Sequence, residues 1–193
     1  MSAPYPPGDL ATRVAPTTIL PANTRLHRFH DGAFGPVYFD RGLGGRLNAP
    51  DGGYGVLYVA QTVEGAFAES FRRNPASTLL SADFIASKAY AALSWDRPLS
   101  FATLHGKGHS ALGSTAEVTH GGLPYDAPQA WSRRLFEHPA GVDGIAYRAR
   151  HDDDEICYAV FERAGPPEIH DQRPDLNQGW FYDLMNAYGV GLV

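Results

Sequence analysis

Residues 41–70 read RGLGGRLNAPDGGYGVLYVAQTVEGAFAES and carry the clearest succession of structural patterns in the chain. Six glycines surround Arg46 in its first half, which predicts a loop of flexible backbone. The apolar run over residues 56–60 then predicts a strand. Because helical spacing follows immediately, the stretch predicts a loop, a strand and a helix in direct succession.

The helix has a clear start in the sequence. Thr62 is placed to cap it, and Glu64 lies in its positively charged first turn. Apolar residues then recur with helical spacing, at Val63, Ala66, Phe67 and Phe71. The pattern predicts a core-facing helix of about three turns, ending near residues 74–75. Glu69 lies off the apolar stripe beside small residues, so it either pairs with Arg73 on the surface or faces an open space.

Length and composition exclude several classes of protein. A chain of 193 residues fits a single domain. It has no apolar run near the ~20 residues needed to span a bilayer and no signal-peptide pattern, so we expect a soluble, cytoplasmic protein without a membrane partner. The formal charge of −5 argues against direct binding of nucleic acid. The single cysteine, Cys157, excludes an internal disulfide and favours no metal site.

The chain divides into an arm and a folded domain. Residues 1–22 are rich in proline, which predicts an extended or disordered arm outside the core, and residues 23–193 form the domain. The alternation over residues 24–29 predicts a strand with Arg28 on the same face as Leu26. Arg28 is then either a strand-end residue that reaches solvent or a contact for a ligand.

The later segments mix strands and helices. A short helix is predicted over 82–87, strands over 90–94 and 99–103, and a helix opened by Asp126 and Pro128. The runs GIAYRAR and EICYAVFE predict a hairpin. Its tip, HDDD, is predicted to be a solvated turn, since adjacent acids cannot all converge on one cation. A last helix carries Trp180, Phe181 and Tyr182, which either close the core or bury in a partner.

Common catalytic and nucleotide-binding motifs are missing from the sequence. The glycines precede their strand, whereas a dinucleotide-binding fingerprint follows one, and no P-loop pattern occurs. Neither a G-x-S-x-G nor an H-E-x-x-H motif is present. The histidines of the polar loop are too loosely spaced to predict a zinc site; they are His105, His109 and His120.

Four segments, in this order and spacing, resemble the RES domain, which is named for an arginine, a glutamate and a serine. They are LHRF at 26–29, GGRLNAPDGGYGVLYVA at 44–60, EGAFAE at 64–69 and DGIAYRARHD at 143–152. The resemblance covers roughly residues 24–163. It implies a single α+β domain similar to ADP-ribosyltransferases, in which two small, mostly antiparallel sheets with flanking helices cradle NAD.

The resemblance also implies roles for particular residues. Glu69 corresponds to the carboxylate near the reacting ribose, and Arg28 and Arg46 to the cationic contacts, with Arg28 counted among the catalytic groups. Tyr58 corresponds to the aromatic contact. Phe29 stands where several members have tyrosine, so the stacking surface is kept and the hydroxyl is lost. No metal is implied.

The serine of the family name is replaced in this chain. Members commonly read Tyr-Arg-Ser-Arg where this chain has Tyr-Arg-Ala-Arg at 147–150, so Ala149 occupies the serine position within the NAD site. Three explanations stay open. The hydroxyl is dispensable, Ser132 or another donor replaces it, or the activity is weakened.

The function implied by the resemblance is that of a toxin that cleaves the nicotinamide–ribose bond of NAD, as an NAD phosphorylase or glycohydrolase. A carboxylate near the ribose stabilises the charge that develops there, and arginines suit the pyrophosphate. The alternatives are a catalytically silent module that binds NAD or a partner protein, and a protein ADP-ribosyltransferase. The implied partner is an Xre-type antitoxin that plugs the site, and a homodimer stays open.

Overall fold

The computed structural model describes residues 3–72, 76 and 78–193. Its strands are β1 Thr17–Leu20, β2 Leu26–Asp31, β3 Val56–Ala60, β4 Leu79–Leu80, β5 Lys88–Ser94, β6 Leu99–Thr103, β7 Gly144–Ala149, β8 Asp152–Phe161, β9 Glu168–Arg173 and β10 Gly191–Leu192. Its α-helices are α1 Val63–Phe71, α2 Ala82–Ala86, α3 Lys107–Leu112, α4 Glu117–His120, α5 Asp126–Phe136 and α6 Gly179–Ala187. The mixture confirms the predicted α+β class.

Most of the strands lie in one sheet. Within the described residues, an eight-stranded sheet has the order β1-β6-β7-β8-β3-β2-β5-β9, and β10 and β4 form a two-stranded sheet. The prediction of two small sheets therefore differs from the structure. The halves β1-β6-β7-β8-β3 and β2-β5-β9 are joined where His27 of β2 lies opposite Ala60 of β3. Since this is the sole register pair between the two strands among the described residues, the sheet leaves an opening beside it.

Helix α1 follows β3 as predicted. It begins at Val63, and the Thr62 side chain caps it by accepting a hydrogen bond of 3.0 Å from the Gly65 backbone N–H. Such a cap satisfies one of the donors left open at a helix start. The predicted end near 74–75 and the suggested partner of Glu69, Arg73, lie outside the described residues. No helix in the described part of the chain is long and apolar enough to cross a membrane.

Both faces of the sheet bury apolar side chains, because alternate residues of a strand point to opposite faces. On the face that carries α1, Phe29 packs edge-on against Phe71 with ring centroids 5.1 Å apart. On the other face, Leu26 is fully buried in a second cluster. The aromatic residues of α6 close the first cluster, since Phe181 is fully buried and Trp180 stacks on Phe29 at 6.2 Å.

The structure corrects the prediction that residues 1–22 lie outside the core. Leu10 is fully buried, and β1 pairs antiparallel with β6. The Trp131 indole N–H also donates a hydrogen bond of 2.8 Å to the Pro4 carbonyl. Proline lacks a backbone N–H but keeps a carbonyl that can accept, so a proline-rich segment can still be held against the domain.

Candidate active site

A cavity of about 440 Å³ opens beside the junction of β2 and β3. Its walls come from these two strands, from α1, from residues 41–55, which we call the glycine loop, and from the turn between β7 and β8. Of the six residues predicted for the site, five line it: Arg28, Phe29, Arg46, Tyr58 and Glu69. Its volume lies in the range of small-molecule sites, roughly 300–1,000 Å³.

Arg28 lies in the middle of β2, opposite Ala91 of β5, and is therefore not a strand-end residue. Its Nη1 donates a long hydrogen bond of 3.4 Å to the Tyr58 carbonyl, and its Nε is buried without a hydrogen-bond partner among the described residues. Burial lowers the pKa of Arg28 to about 10, and the nearby Asp40 opposes the shift. The guanidinium stays charged at neutral pH, and a buried charge of this kind is stabilised by a bound anion.

Arg46 reaches the cavity from the glycine loop. Its Nε donates a hydrogen bond of 3.1 Å to the Gly121 carbonyl, and its Cζ lies 5.3 Å from the centroid of the Tyr125 ring. In the part of the chain that the structure describes, neither Arg46 nor Arg28 forms an ion pair with a carboxylate. The cavity therefore has two cationic side chains that form no ion pair among the described residues.

Tyr58 holds the glycine loop against β3. Its hydroxyl donates a hydrogen bond of 2.8 Å to Oδ1 of Asn48 and accepts one of 2.9 Å from the Leu47 N–H. Asn48 is fully buried, and its Nδ2 donates to Oδ2 of Asp40 and to the Gly42 carbonyl. Burial raises the pKa of Tyr58 well above its ordinary value, so the phenol stays protonated. The Tyr58 hydroxyl thus forms its hydrogen bonds with the glycine loop, while other atoms of Tyr58 are left to line the cavity.

The glycines of the loop serve packing within the protein at two positions. A Cβ added to Gly45 would lie 2.2 Å from Oδ1 of Asn48, and one added to Gly55 would lie 2.6 Å from Cβ of Phe39. Gly44 also lines the cavity, but a Cβ there would meet open space. The close approach that makes glycine necessary at residue 45 is therefore to the buried asparagine.

Glu69 is oriented by the β7–β8 hairpin. Its Oε1 accepts a hydrogen bond of 2.9 Å from the Arg150 backbone N–H, and its Oε2 accepts a long one of 3.4 Å from the Tyr147 hydroxyl. Burial, and next the charge of Glu69, raise the pKa of Tyr147 well above its ordinary value. The phenol therefore stays protonated and remains a donor. Two donors from one hairpin fix the direction of the carboxylate.

Sequence reasoning missed several residues that line the cavity: Tyr125, Tyr147, Arg150 and His151. Three of them, Tyr147, Arg150 and His151, lie within the segment 143–152 that carried the resemblance, where the replaced serine was the feature considered. His151 belongs to the turn that was predicted to be solvated, yet it is half-buried, and burial lowers its pKa. The described residues contain no group of three or more side chains that could hold a metal ion.

The two positions considered for the serine hydroxyl both lie away from the cavity wall. Ala149 is fully buried in the core and does not line the cavity. Ser132 is fully buried in α5; its hydroxyl donates a hydrogen bond of 2.6 Å to the Leu47 carbonyl and lies 2.7 Å from the Tyr54 hydroxyl. Ser132 therefore acts on the cavity through the glycine loop that it anchors.

Comparison with known proteins places the fold in a family. A sequence profile of the RES domain matches residues 11–184, nearly the whole chain. The chain belongs to the RES domain family. The match begins inside the proline-rich arm, in agreement with the packing of that arm against the RES domain.

A solved structure has the same fold as this RES domain. It is a chain of the crystal structure of the M. tuberculosis MbcT-MbcA toxin-antitoxin complex, which superposes with a TM-score of 0.68. The identity is 13%, and the likeness covers 93% of this chain and 98% of that chain. At this identity the comparison establishes the fold alone. No curated protein matches the sequence.

Proposed function

We propose that this RES domain protein is a toxin that degrades NAD by cleaving the bond between nicotinamide and ribose. One observation carries the proposal. Arg28, Arg46, Tyr58 and Glu69 converge on a single cavity, and the buried Nε of Arg28 has no hydrogen-bond partner among the described residues. The cavity thus combines an anion-binding wall with a carboxylate held in place. In NAD, the pyrophosphate would suit that wall, and the cationic ribosyl-nicotinamide would suit the carboxylate.

The arginines would bind the pyrophosphate. Guanidinium groups match phosphate oxygens with paired N–H donors, which fixes orientation as well as adding affinity. An anion beside Arg28 would also offset the desolvation that lowers the pKa of Arg28. Binding free energy gained at the pyrophosphate can then be used at the reacting carbon.

Glu69 would act at the ribose. When the bond from C1′ to the nicotinamide nitrogen breaks, its electron pair leaves with nicotinamide and positive charge develops on the ribose ring. The carboxylate, oriented by the Arg150 N–H and the Tyr147 hydroxyl, stabilises this charge. An oxygen of phosphate or water then bonds to C1′ and, for water, loses a proton to solvent.

The test is release of nicotinamide from NAD by the purified chain, measured by chromatography with and without phosphate. We expect the wild type to release nicotinamide and Glu69→Gln to release none while keeping its unfolding temperature. If both proteins bind NAD and neither releases nicotinamide, the protein is a silent binding module. Label transferred from NAD to a protein would instead indicate an ADP-ribosyltransferase.

The variant Ala149→Ser is a second test between the hypothesis of a silent binding module and that of an enzyme. If the missing serine silences the chain, the variant gains nicotinamide release. We expect no gain, because Ala149 does not line the cavity and a hydroxyl there would be buried in the apolar core.

We further propose an antitoxin as the protein partner. The solved structure with the same fold belongs to a toxin-antitoxin complex, and this supports such a partner here. The Xre type rests on the resemblance alone, and a homodimeric state stays open. Growth arrest on expression of the chain in bacteria, relieved by co-expression of a neighbouring Xre-type gene, is the expected result, and sedimentation of the purified chain tests the dimer.

A further inference from the structure

A second hollow, which we call the side groove, adjoins the cavity. Tyr125 lines both, and the other residues of the groove are Leu43, Pro50, Leu123, Pro124, Asp126 and Gln129. The volume of the groove is about 410 Å³. The two hollows therefore share one wall residue and are similar in size.

The side groove is lined mainly by apolar side chains and is open to water. Leu123 is 80% exposed and Leu43 is 63% exposed. Arginines line the cavity at positions 28, 46 and 150, whereas no lysine or arginine is among the residues that line the groove in the described part of the chain. The groove is therefore unsuited to a phosphate and suited to a flat, uncharged ring, which would cover this exposed apolar surface.

Gln129 gives the groove a hydrogen-bond acceptor. Its Nε2 donates to the Leu43 carbonyl at 2.8 Å and to the Gly45 carbonyl at 3.0 Å. Both amide hydrogens are thereby used, so the amide oxygen is the polar atom that Gln129 can offer to a ligand. Asp126, which also lines the groove, carries a carboxylate that can accept as well. A ring that carries an amino group fits these acceptors, and adenine is such a ring.

Arg46 of the cavity lies beside the residue that the two hollows share. Its Cζ is 5.3 Å from the centroid of the Tyr125 ring, and Tyr125 is the residue shared by cavity and groove. A dinucleotide with its reacting ribose at Glu69 would pass its pyrophosphate beside Arg46 before reaching the groove.

From this arrangement we infer that the side groove binds the adenine end of NAD. The inference rests on the proposed function for the identity of the dinucleotide. It assigns Leu43, Leu123 and Gln129 to recognition of the adenine, apart from the groups that act at the ribose.

A kinetic comparison of two substrates tests the inference. Leu123→Asp places a charge in the groove at an exposed position, where folding should be unaffected. Val14→Asp is the matched control, because Val14 is 88% exposed and lines neither hollow. We expect Leu123→Asp to raise the KM for NAD about tenfold, a loss of ~1.4 kcal/mol, with kcat unchanged. Cleavage of nicotinamide mononucleotide, which lacks the adenylate, should be unchanged in both variants.

A modified substrate tests the role of the acceptors. In nicotinamide hypoxanthine dinucleotide, a carbonyl replaces the exocyclic amino group of adenine, so Gln129 and Asp126 would face an acceptor where that amino group donated. The wild type should show a KM about fivefold higher for this substrate than for NAD. Equal KM values for the two dinucleotides, or equal effects of Leu123→Asp and Val14→Asp on NAD, would overturn the inference.

Binding of adenosine monophosphate, measured by calorimetry, separates this inference from the proposed function. We expect the wild type and Val14→Asp to bind it and Leu123→Asp to bind about tenfold more weakly. This result without any cleavage of NAD would refute the proposed function and leave the groove as an adenylate site. Cleavage of NAD together with equal binding of adenosine monophosphate by all three proteins would refute the groove and leave the function.

Discussion

The hydroxyl of Tyr58 on β3 donates a hydrogen bond of 2.8 Å to Oδ1 of Asn48 in the glycine loop. Asn48 is fully buried and donates to Asp40 and Gly42 through its Nδ2. Displacing this one side chain would break three hydrogen bonds, and each group left without a partner in the interior costs free energy. The glycine loop, which carries Arg46, is therefore held in place by Asn48, a residue that does not line the cavity.

The two adjacent glycines of the loop should respond differently to alanine. Gly45→Ala places a Cβ against the Asn48 amide and should lower the free energy of unfolding by about 1–3 kcal/mol. Gly44→Ala meets open space and should leave stability nearly unchanged, so it is the matched control. Urea denaturation of the two variants checks this, and equal stabilities would mean that Asn48 is not fixed as described.

Loss of the Tyr147 hydroxyl should slow the reaction without weakening binding. Tyr147→Phe removes the hydroxyl that donates to Oε2 of Glu69, and because the bond is long we expect kcat to fall roughly tenfold, about 1.4 kcal/mol, with little change in KM. Tyr158→Phe is the control, since Tyr158 is also buried but does not line the cavity.

A second measurement distinguishes positioning of the carboxylate from a general structural role of Tyr147. Because Glu69→Gln already abolishes nicotinamide release, the readouts are the KM for NAD and the unfolding temperature of Tyr147→Phe alone, and both should stay near those of the wild type. A higher KM for NAD, or a fall in unfolding temperature as large as that of Tyr158→Phe, would show that the phenol of Tyr147 acts through packing instead.

Replacement of Arg28 by an apolar residue should raise stability and lower activity. Arg28→Met removes a desolvated charge whose Nε has no partner among the described residues, and should raise the free energy of unfolding by about 1 kcal/mol. The same variant should lose NAD cleavage at least about tenfold, since the proposed contact with the pyrophosphate is removed. Arg28→Lys keeps a charge but not the planar fork, and should restore little activity. If Arg28→Met lowered both stability and activity, the arginine would be structural.

Stability should fall on mild acidification, in part through His27. Burial lowers the pKa of His27 below its ordinary 6.5, while Glu64 opposes and Arg25 reinforces the shift. The unfolded chain then binds the proton more readily, so this contribution is present above pH 6.5 and is lost as the pH falls towards the folded-state pKa.

The variant His27→Gln tests that assignment. It lacks the titrating group and should lose less free energy of unfolding than the wild type between about pH 7.5 and 5.5. It also lacks the 2.7 Å hydrogen bond between His27 and Tyr90, so the slopes with pH are compared and not the absolute stabilities. Parallel slopes would exclude His27 as the source.

Local sequence patterns were sufficient for the elements that carry the site. Helix α1 begins at Val63 after its Thr62 cap, and β3 spans Val56–Ala60, as their patterns predict. Capping and apolar periodicity are properties of neighbouring residues, so they are visible in the sequence. The proline-rich arm was misjudged because the burial of Leu10 depends on distant residues of the domain.

The sequence was sufficient to predict four residues of the site, because the segments that contain them resemble the RES domain in order and spacing. These residues are Arg28, Arg46, Tyr58 and Glu69. The tertiary structure decided that they share one cavity, that Asn48 and Ser132 hold the glycine loop, and that Tyr147 and Arg150 orient Glu69. It also revealed the groove beside Tyr125. The physical reason is that these contacts join residues far apart in the chain, and their geometry is set by how the strands pair and pack, which no local pattern encodes.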